Sequence, residues 1–230
     1  MQAAKPDIVI LQEVYTEEFL ENLSQHLGMK YYIGAGNRRR KVALLSKHRV
    51  LSFQSHHPIF PIWRNFVDAV IEYEKEKIIQ VIGVHPIANL GVAFEVWRFW
   101  EAKYILNYVR RFQDKPFLLG GDFNAIASGE KVNTENVPAW LRWILYLQGN
   151  RVYHFSIGAF RAFGLIDCFR SLHSAESGFT LPPPKPNARL DYIFINAVLE
   201  PYLEGCWVVN DPESVNFASD HYPVLAEFKC

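Results

Sequence analysis

Net charge is the first thing the sequence lacks. Lysine plus arginine and aspartate plus glutamate number 24 each in 230 residues. That balance argues against a broad basic coat for nucleic acid and leaves room only for a local patch. Cysteine is scarce: Cys168, Cys206 and Cys230 show no metal-ligand spacing and cannot all pair with one another. Reduced thiols or simple core packing is the better reading. Long apolar runs are missing too: none approaches the ~20 residues a membrane helix needs. No charged-then-apolar leader opens the chain. The expectation is a soluble, cytoplasmic-type protein, with any targeting or membrane segment upstream left open. No internal repeat or low-complexity tract stands out. What is present is apolar and aromatic substance, half and 15% of the residues respectively. That is enough for a sizeable core and against disorder.

An unbroken apolar run over 8–11 predicts a strand buried on both faces. Gln12 and Glu13 follow, then Thr16 with Glu17 and Glu18 behind it, an N-cap and acidic first turn. Phe19, Leu20, Leu23 and Leu27 trace a helical stripe that Gly28 ends. Strands are expected over 31–35 and 42–46, joined by a loop carrying four consecutive cations at 38–41. Those cations suit either phosphate or plain solvation. A second hairpin is expected from 66–73 and 78–85 around a charged turn at 74–77, with His85 at its end and Pro86 stopping the strand. Trp97, Trp100, Tyr104, Tyr108 and Phe112 recur at helical spacing and predict a helix whose aromatic stripe is core. Residues 126–164 read as a helical excursion. Within it the apolar 140–147 segment fits a packed helix, a lid or an interfacial segment, and 151–163 fits another helix. Strands are expected again over 189–195, 206–209 and 224–228, the first preceded by a Pro-rich loop at 181–186.

The run from Phe117 to Asn124 joins these pieces. Three apolar residues lead into Gly120 and Gly121, which permit a sharp turn or a close approach. Asp122 and Asn124 come next, two apart, and on an extended stretch they would point to one side. Taken alone, this reads more readily as a polar turn than as a site. Glu13, too, is read equally well as a solvated loop glutamate. Collecting the polar residues stranded at strand ends gives Glu13, His85, Asp122, Asn124, Asp191, Asp220 and His221. Carboxylates, an amide and imidazoles suit a hard cation with acid–base groups, and the lack of cysteine ligands favours Mg²⁺ or Mn²⁺ over zinc. The hairpins and the lack of regular βαβ alternation favour a largely antiparallel α+β domain.

PDIVILQEV at 6–14, LLGGDFNA at 118–125, RLDYIFI at 189–195 and SDHYPV at 219–224 resemble the endonuclease/exonuclease/phosphatase superfamily, in the right order and over essentially the whole chain. The resemblance implies a four-layer α/β/β/α sandwich of two mostly antiparallel sheets flanked by helices, with the site at one end. It implies that Glu13 is the main metal-ligating carboxylate and Asp220 an assisting one. Asp122 and Asn124 would orient water and phosphate. His221 would stand beside the scissile phosphate, oriented by Asp191. His85 would contact phosphate or serve as an acid, and Thr180 would be a polar substrate-side position. Two departures stand out. The family begins with a strand carrying an asparagine, for which this sequence shows no counterpart, so the expectation is a single domain over 1–230, incomplete at its N-terminus. The histidine strand ends Val84-His85-Pro86 rather than in Thr-His-Leu.

The function these readings favour is divalent-metal-dependent hydrolysis of a phosphoester, a diester in preference to a monoester, by in-line attack of water. Substrates from nucleic acid to phospholipid or inositol-phosphate headgroups stay open. So does a weakly active or inactive member acting as a binding module. A monomer without an obligate protein partner is expected.

Overall fold

The structure is a computed structural model that describes residues 4–35, 41–57, 64–89, 91–133, 142–143, 146–147, 149 and 151–229. Strand β1 (Ile8–Val14) leads into helix α1 (Glu17–Leu27). The Thr16 hydroxyl accepts from the Phe19 amide at 3.3 Å, acids fill the first turn, and Gly28 closes the helix in the left-handed conformation. The local signals in the sequence thus act as expected. β2 (Lys30–Ile33) and β3 (Lys41–Ser46) pair antiparallel, and β3 also pairs with β1. β4 (Arg49–His56), β5 (Phe66–Glu74) and β6 (Lys77–Val84) follow as an antiparallel run. Helix α2 (Val92–Val109) crosses over to β7 (Phe117–Asp122), which lies parallel to β6. After α3 (Phe155–Ala162) come β8 (Ile166–Asp167), α4 (Cys168–Leu172) and β9 (Asp191–Ile195), then the hairpin of β10 (Leu203–Val208) and β11 (Val224–Phe228).

The six-stranded sheet runs β4-β5-β6-β7-β9-β8. Against one face α2 and α3 pack Ile105, Val109, Ile157 and Phe160 onto Phe66, Ile82, Leu119 and Phe194. The other face receives Ile8, Ile10 and Leu44 from the three-stranded sheet and Val224 and Ala226 from the hairpin. On the far side of the three-stranded sheet, α1 buries Leu20 against Val14, Ala43 and Leu45. Helix, sheet, sheet, helix is the layer order, and β6–β7 alone breaks the antiparallel pairing among the described strands. Cys168 and Cys206 are buried, unbonded thiols in the middle layer. No helix among the described residues is long and apolar enough to cross a membrane.

Three expectations need correction. The Ile8–Leu11 run is half-buried, not enclosed. β1 is hydrogen-bonded only to β3, and β11 only to β10, so each presents a second edge with no strand partner among the described residues. The aromatic stripe over 97–112 is core only in part: Tyr108 and Phe112 pack against the core and Trp97 is half-buried. Trp100 and Tyr104 are exposed, while Glu95, Arg98 and Glu101 share the buried face with Ala102, Ile105, Leu106 and Val109. Hydrophobic pattern alone places charges outside, but charges that find partners can be buried. Finally, most of 140–147 lies outside the described residues, and Trp143, Tyr146 and Leu147, which are described, are exposed. The cations at 38–40 lie outside the described residues, and Lys41 opens β3. β4 is a strand the sequence pattern did not reveal, because its polar, outward-facing residues show little apolar alternation.

Glycine places the end of β7. Gly121 has φ +147°, and a Cβ there would lie 2.1 Å from the Val84 carbonyl oxygen on the parallel neighbour β6. Gly121→Ala is therefore expected to destabilise the protein by about 2–4 kcal/mol, from overpacking and backbone strain together. Urea denaturation of the purified variant checks it.

Candidate active site at one end of the sheets

Strand direction gathers the site. β6 and β7 run parallel, so His85 and Asp122 emerge at the same end. β9 runs antiparallel to β7 in a register that sets Asp191, its first residue, opposite Asp122. β1 ends there too, with a register shift between Leu11 and Val14 and Glu13 at φ +54°. The turn before β11 supplies His221.

Asp122 is the centre. Its Oδ2 lies 3.7 Å from His85 Nε2 and 3.9 Å from His221 Nε2. His85 Nε2 is 3.9 Å from Glu13 Oε1. His221 Nδ1 is 2.8 Å from Asp191 Oδ2, a hydrogen bond that fixes which ring nitrogen faces Asp122. The Asn124 backbone N–H donates to Asp122 Oδ1 at 2.8 Å, and its side-chain amide donates to the Pro86 carbonyl at 3.2 Å. Asn124 has φ +51° and lies beyond β7, so it meets Asp122 through a tight side-chain-to-backbone turn and not through the strand alternation expected from sequence. Exposure varies sharply across the group: His85 is buried at 3%, whereas the Glu13 side chain is half exposed at 53%.

Five of the expected residues, Glu13, His85, Asp122, Asp191 and His221, are linked by contacts below 4 Å, and Asn124 joins them through its backbone. Asp220 is exposed, and its charge is felt by His221. Thr180 is fully buried. Its hydroxyl accepts from the Leu190 amide and its carbonyl accepts from the Tyr222 amide, so it joins the start of β9 to the His221 turn. Sequence reasoning passed over Tyr15, whose hydroxyl donates to Glu13 Oε2 at 3.4 Å. The only signal for it was its place two residues after Glu13. The Pro86 carbonyl that holds Asn124 left no signal in residue type at all.

Electrostatics follow from crowding. Burial, the Asp191 charge and the Glu13 charge push Asp122 up to about 7, against the opposing pull of His221 and the Asn124 amide. Burial alone would lower His221, but the Asp191 hydrogen bond and the charges of Asp191, Asp122 and Asp220 outweigh it and raise the imidazole to about 9. Asp122, Asp191 and His221 each offer a ligand atom within 4.8 Å of the others. Two carboxylates and an imidazole crowded this closely, with one carboxyl pushed up by burial and by its neighbours' charge, form a donor set that fits a hard divalent cation.

Because the folded His221 titrates near 9, above its ordinary 6.5, its contribution to stability is fully present below the lower value. It is lost as pH rises through the higher one. NMR titration of the metal-free protein is expected to show His221 changing near pH 9. In Asp191→Asn the midpoint should fall toward an ordinary histidine, and the alkaline loss of stability should shrink with it.

The endonuclease/exonuclease/phosphatase family model matches residues 1–221. Exodeoxyribonuclease III of Haemophilus influenzae is 25% identical over 252 residues, covering 98% of this chain and 91% of that protein. In fold the chain is similar to an AP endonuclease from Archaeoglobus fulgidus, with a TM-score of 0.78 at 17% identity over all of this chain and 91% of that one. It is also similar to a 3′ phosphatase from Neisseria solved with a product DNA hairpin. There the TM-score is 0.75 at 18% identity over 98% of this chain and 90% of the other. Matched over residues 1–221, this chain belongs to the endonuclease/exonuclease/phosphatase family.

Proposed function

We propose that this phosphoester hydrolase is a divalent-metal-dependent phosphodiesterase acting on nucleic acid. The observation that carries the reading is the buried Asp122 carboxylate flanked by two imidazoles at the strand mouth. The nucleic-acid substrate is supported by the curated relative, an exodeoxyribonuclease, and by the DNA bound to the Neisseria neighbour.

Glu13, with Asp220 assisting, would hold the cation; Asp122, Asp191 and His221 offer ligand atoms within 4.8 Å of one another, and Glu13 adjoins that group through His85, 3.9 Å from its Oε1. When bound, Mg²⁺ or Mn²⁺ supplies positive charge that offsets what develops on the phosphoryl oxygens. His221, protonated at neutral pH and held by Asp191, donates from Nε2 to a non-bridging phosphoryl oxygen. Asp122, with its pKa near 7, suits a base that takes a proton from the attacking water. Asn124 fixes Asp122 through Oδ1, which leaves Oδ2 toward the reacting atoms. His85 faces the same oxygen and is placed to contact the phosphate or protonate the leaving oxygen. Water oxygen joins phosphorus, the ester P–O bond opposite breaks, and the leaving oxygen gains a proton. Thr180 acts from behind, as a brace between the start of β9, which carries Asp191, and the turn that carries His221.

The test is hydrolysis of single- and double-stranded DNA, a generic aryl phosphodiester and sphingomyelin by the purified chain after chelation. Adding back Mg²⁺ or Mn²⁺ is expected to restore cleavage of DNA and to leave the lipid intact. His221→Ala and Asp122→Asn should each lower kcat by ~10²–10⁴. No metal-stimulated turnover of any diester would overturn the enzymatic reading in favour of a binding module. Cleavage of the lipid alone would overturn the substrate.

A further inference from the structure

The loop that carries His85 has no regular structure from His85 to Asn89, yet its backbone is held at three points by one face of α2. Glu101 Oε2 accepts from the Ile87 amide at 2.9 Å. Arg98 Nη1 donates to the carbonyl oxygens of Ile87 and Asn89, at 3.0 and 2.7 Å. Arg98 Nε is held in turn by Glu95 Oε2 at 2.8 Å, and Glu95 Oε1 accepts from both the amide and the hydroxyl of Ser156 on α3. Glu95, Arg98, Glu101 and Ser156 are all buried. His85 and Glu101 also line one small cavity, of about 10 Å³, together with Arg64, Pro86 and Tyr104. Glu101 and His85 are therefore neighbours across that cavity.

As stability devices, buried ion pairs roughly break even with apolar side chains of similar volume. What they supply beyond that is direction. The loop they fix delivers two groups to the site, the His85 ring beside Asp122 and the Pro86 carbonyl that holds the Asn124 side chain. A shift of about 1 Å in such groups is enough to cost ~10²-fold in rate. We infer that Arg98 and Glu101 are positioning residues for hydrolysis, clamping the 85–89 backbone so that His85 and Asn124 converge on Asp122. The inference rests on the hydrolytic reading of that site. Burial raises Glu101 to about 7, against the charges of Arg64 and Arg98 and the Ile87 amide. An amide oxygen in its place can accept from Ile87 just as well.

The test pairs Glu101→Ala with Glu101→Gln. In Glu101→Ala, kcat on the diester is expected to fall ~10–10²-fold with KM within about threefold, and in Glu101→Gln to return to within about threefold of the parent. NMR of the metal-free, substrate-free protein should show the His85 ring signal broadened or split in Glu101→Ala and single in Glu101→Gln. An unchanged His85 signal in folded Glu101→Ala overturns the inference, as does a Gln variant as impaired as the Ala variant. If Glu101→Ala does not fold, Ser156→Ala loosens Glu95 from a distance. It should broaden the His85 signal and lower kcat about 3- to 10-fold; a sharp, unmoved signal there also overturns the inference. Because the His85 signal is read without metal or substrate, its outcome is separate from that of the hydrolytic reading. Failure of the parent protein to cleave any diester would sink that reading alone.

Discussion

Asp122 and Asp191 stand opposite each other across the β7–β9 ladder, and like charges in such a pair repel. Burial strengthens that repulsion, because little water is present to screen it. Each neighbouring feature answers it. His221 takes Asp191 as a hydrogen-bond partner and carries a positive charge between the two carboxylates. The Asn124 amide takes one oxygen of Asp122, and Asp122 itself retains a proton up to about pH 7. The closeness that burdens folding is also what gives this end of the sheets its appetite for positive charge. Stability is thus set against function at a single pair of residues.

On the proposed reading, this arrangement sets the charge that a phosphate meets at the site. A neutral protein does not steer a polyanion over long distances. Its site, where Glu13, Asp122 and Asp191 stand together with Asp220 nearby in the chain, would repel phosphate until the local charge is reversed. A bound cation would reverse that charge, adding to what His221 supplies.

Much of this was legible in the sequence because it is written locally. Thr16 and Gly28 mark the ends of α1, and the alternation over 66–85 marks a hairpin. Of the strand-end polar residues, Glu13, His85, Asp122, Asp191 and His221 come within 4 Å of one another in a chain of contacts, and Asp220 stays outside it. What stayed hidden depends on contacts between distant segments. Nothing in residue type says that Asn124 reaches Asp122 by a left-handed turn, or that the Thr180 hydroxyl is spent on Leu190. α2 was misjudged for a related reason. Its buried charges are tolerated because the His85 loop and Ser156 satisfy them, and of its aromatic stripe Trp100 and Tyr104 are left exposed. Arg189 conceals itself similarly. It is buried with both of its terminal nitrogens on Asp167 and one also on Glu130, which ties the loop after Asn124 to the strand of Asp191.

The second layer of sheet is made of two pieces. β1 lies over β6 and β7, β11 lies over β9, and each turns an edge without a strand partner, among the described residues, along the same face. Such an edge is a row of peptide donors and acceptors at regular spacing, and water or another strand can satisfy it. Water does so without order, whereas a strand imposes register and stiffens what it joins. Glu13 sits near the end of one of these edges, and His221 stands three residues before the other begins. The rigidity of the whole reaction centre is therefore tied to backbone pairing along two strands that contribute apolar side chains to the core and leave half of their own hydrogen-bonding capacity on offer.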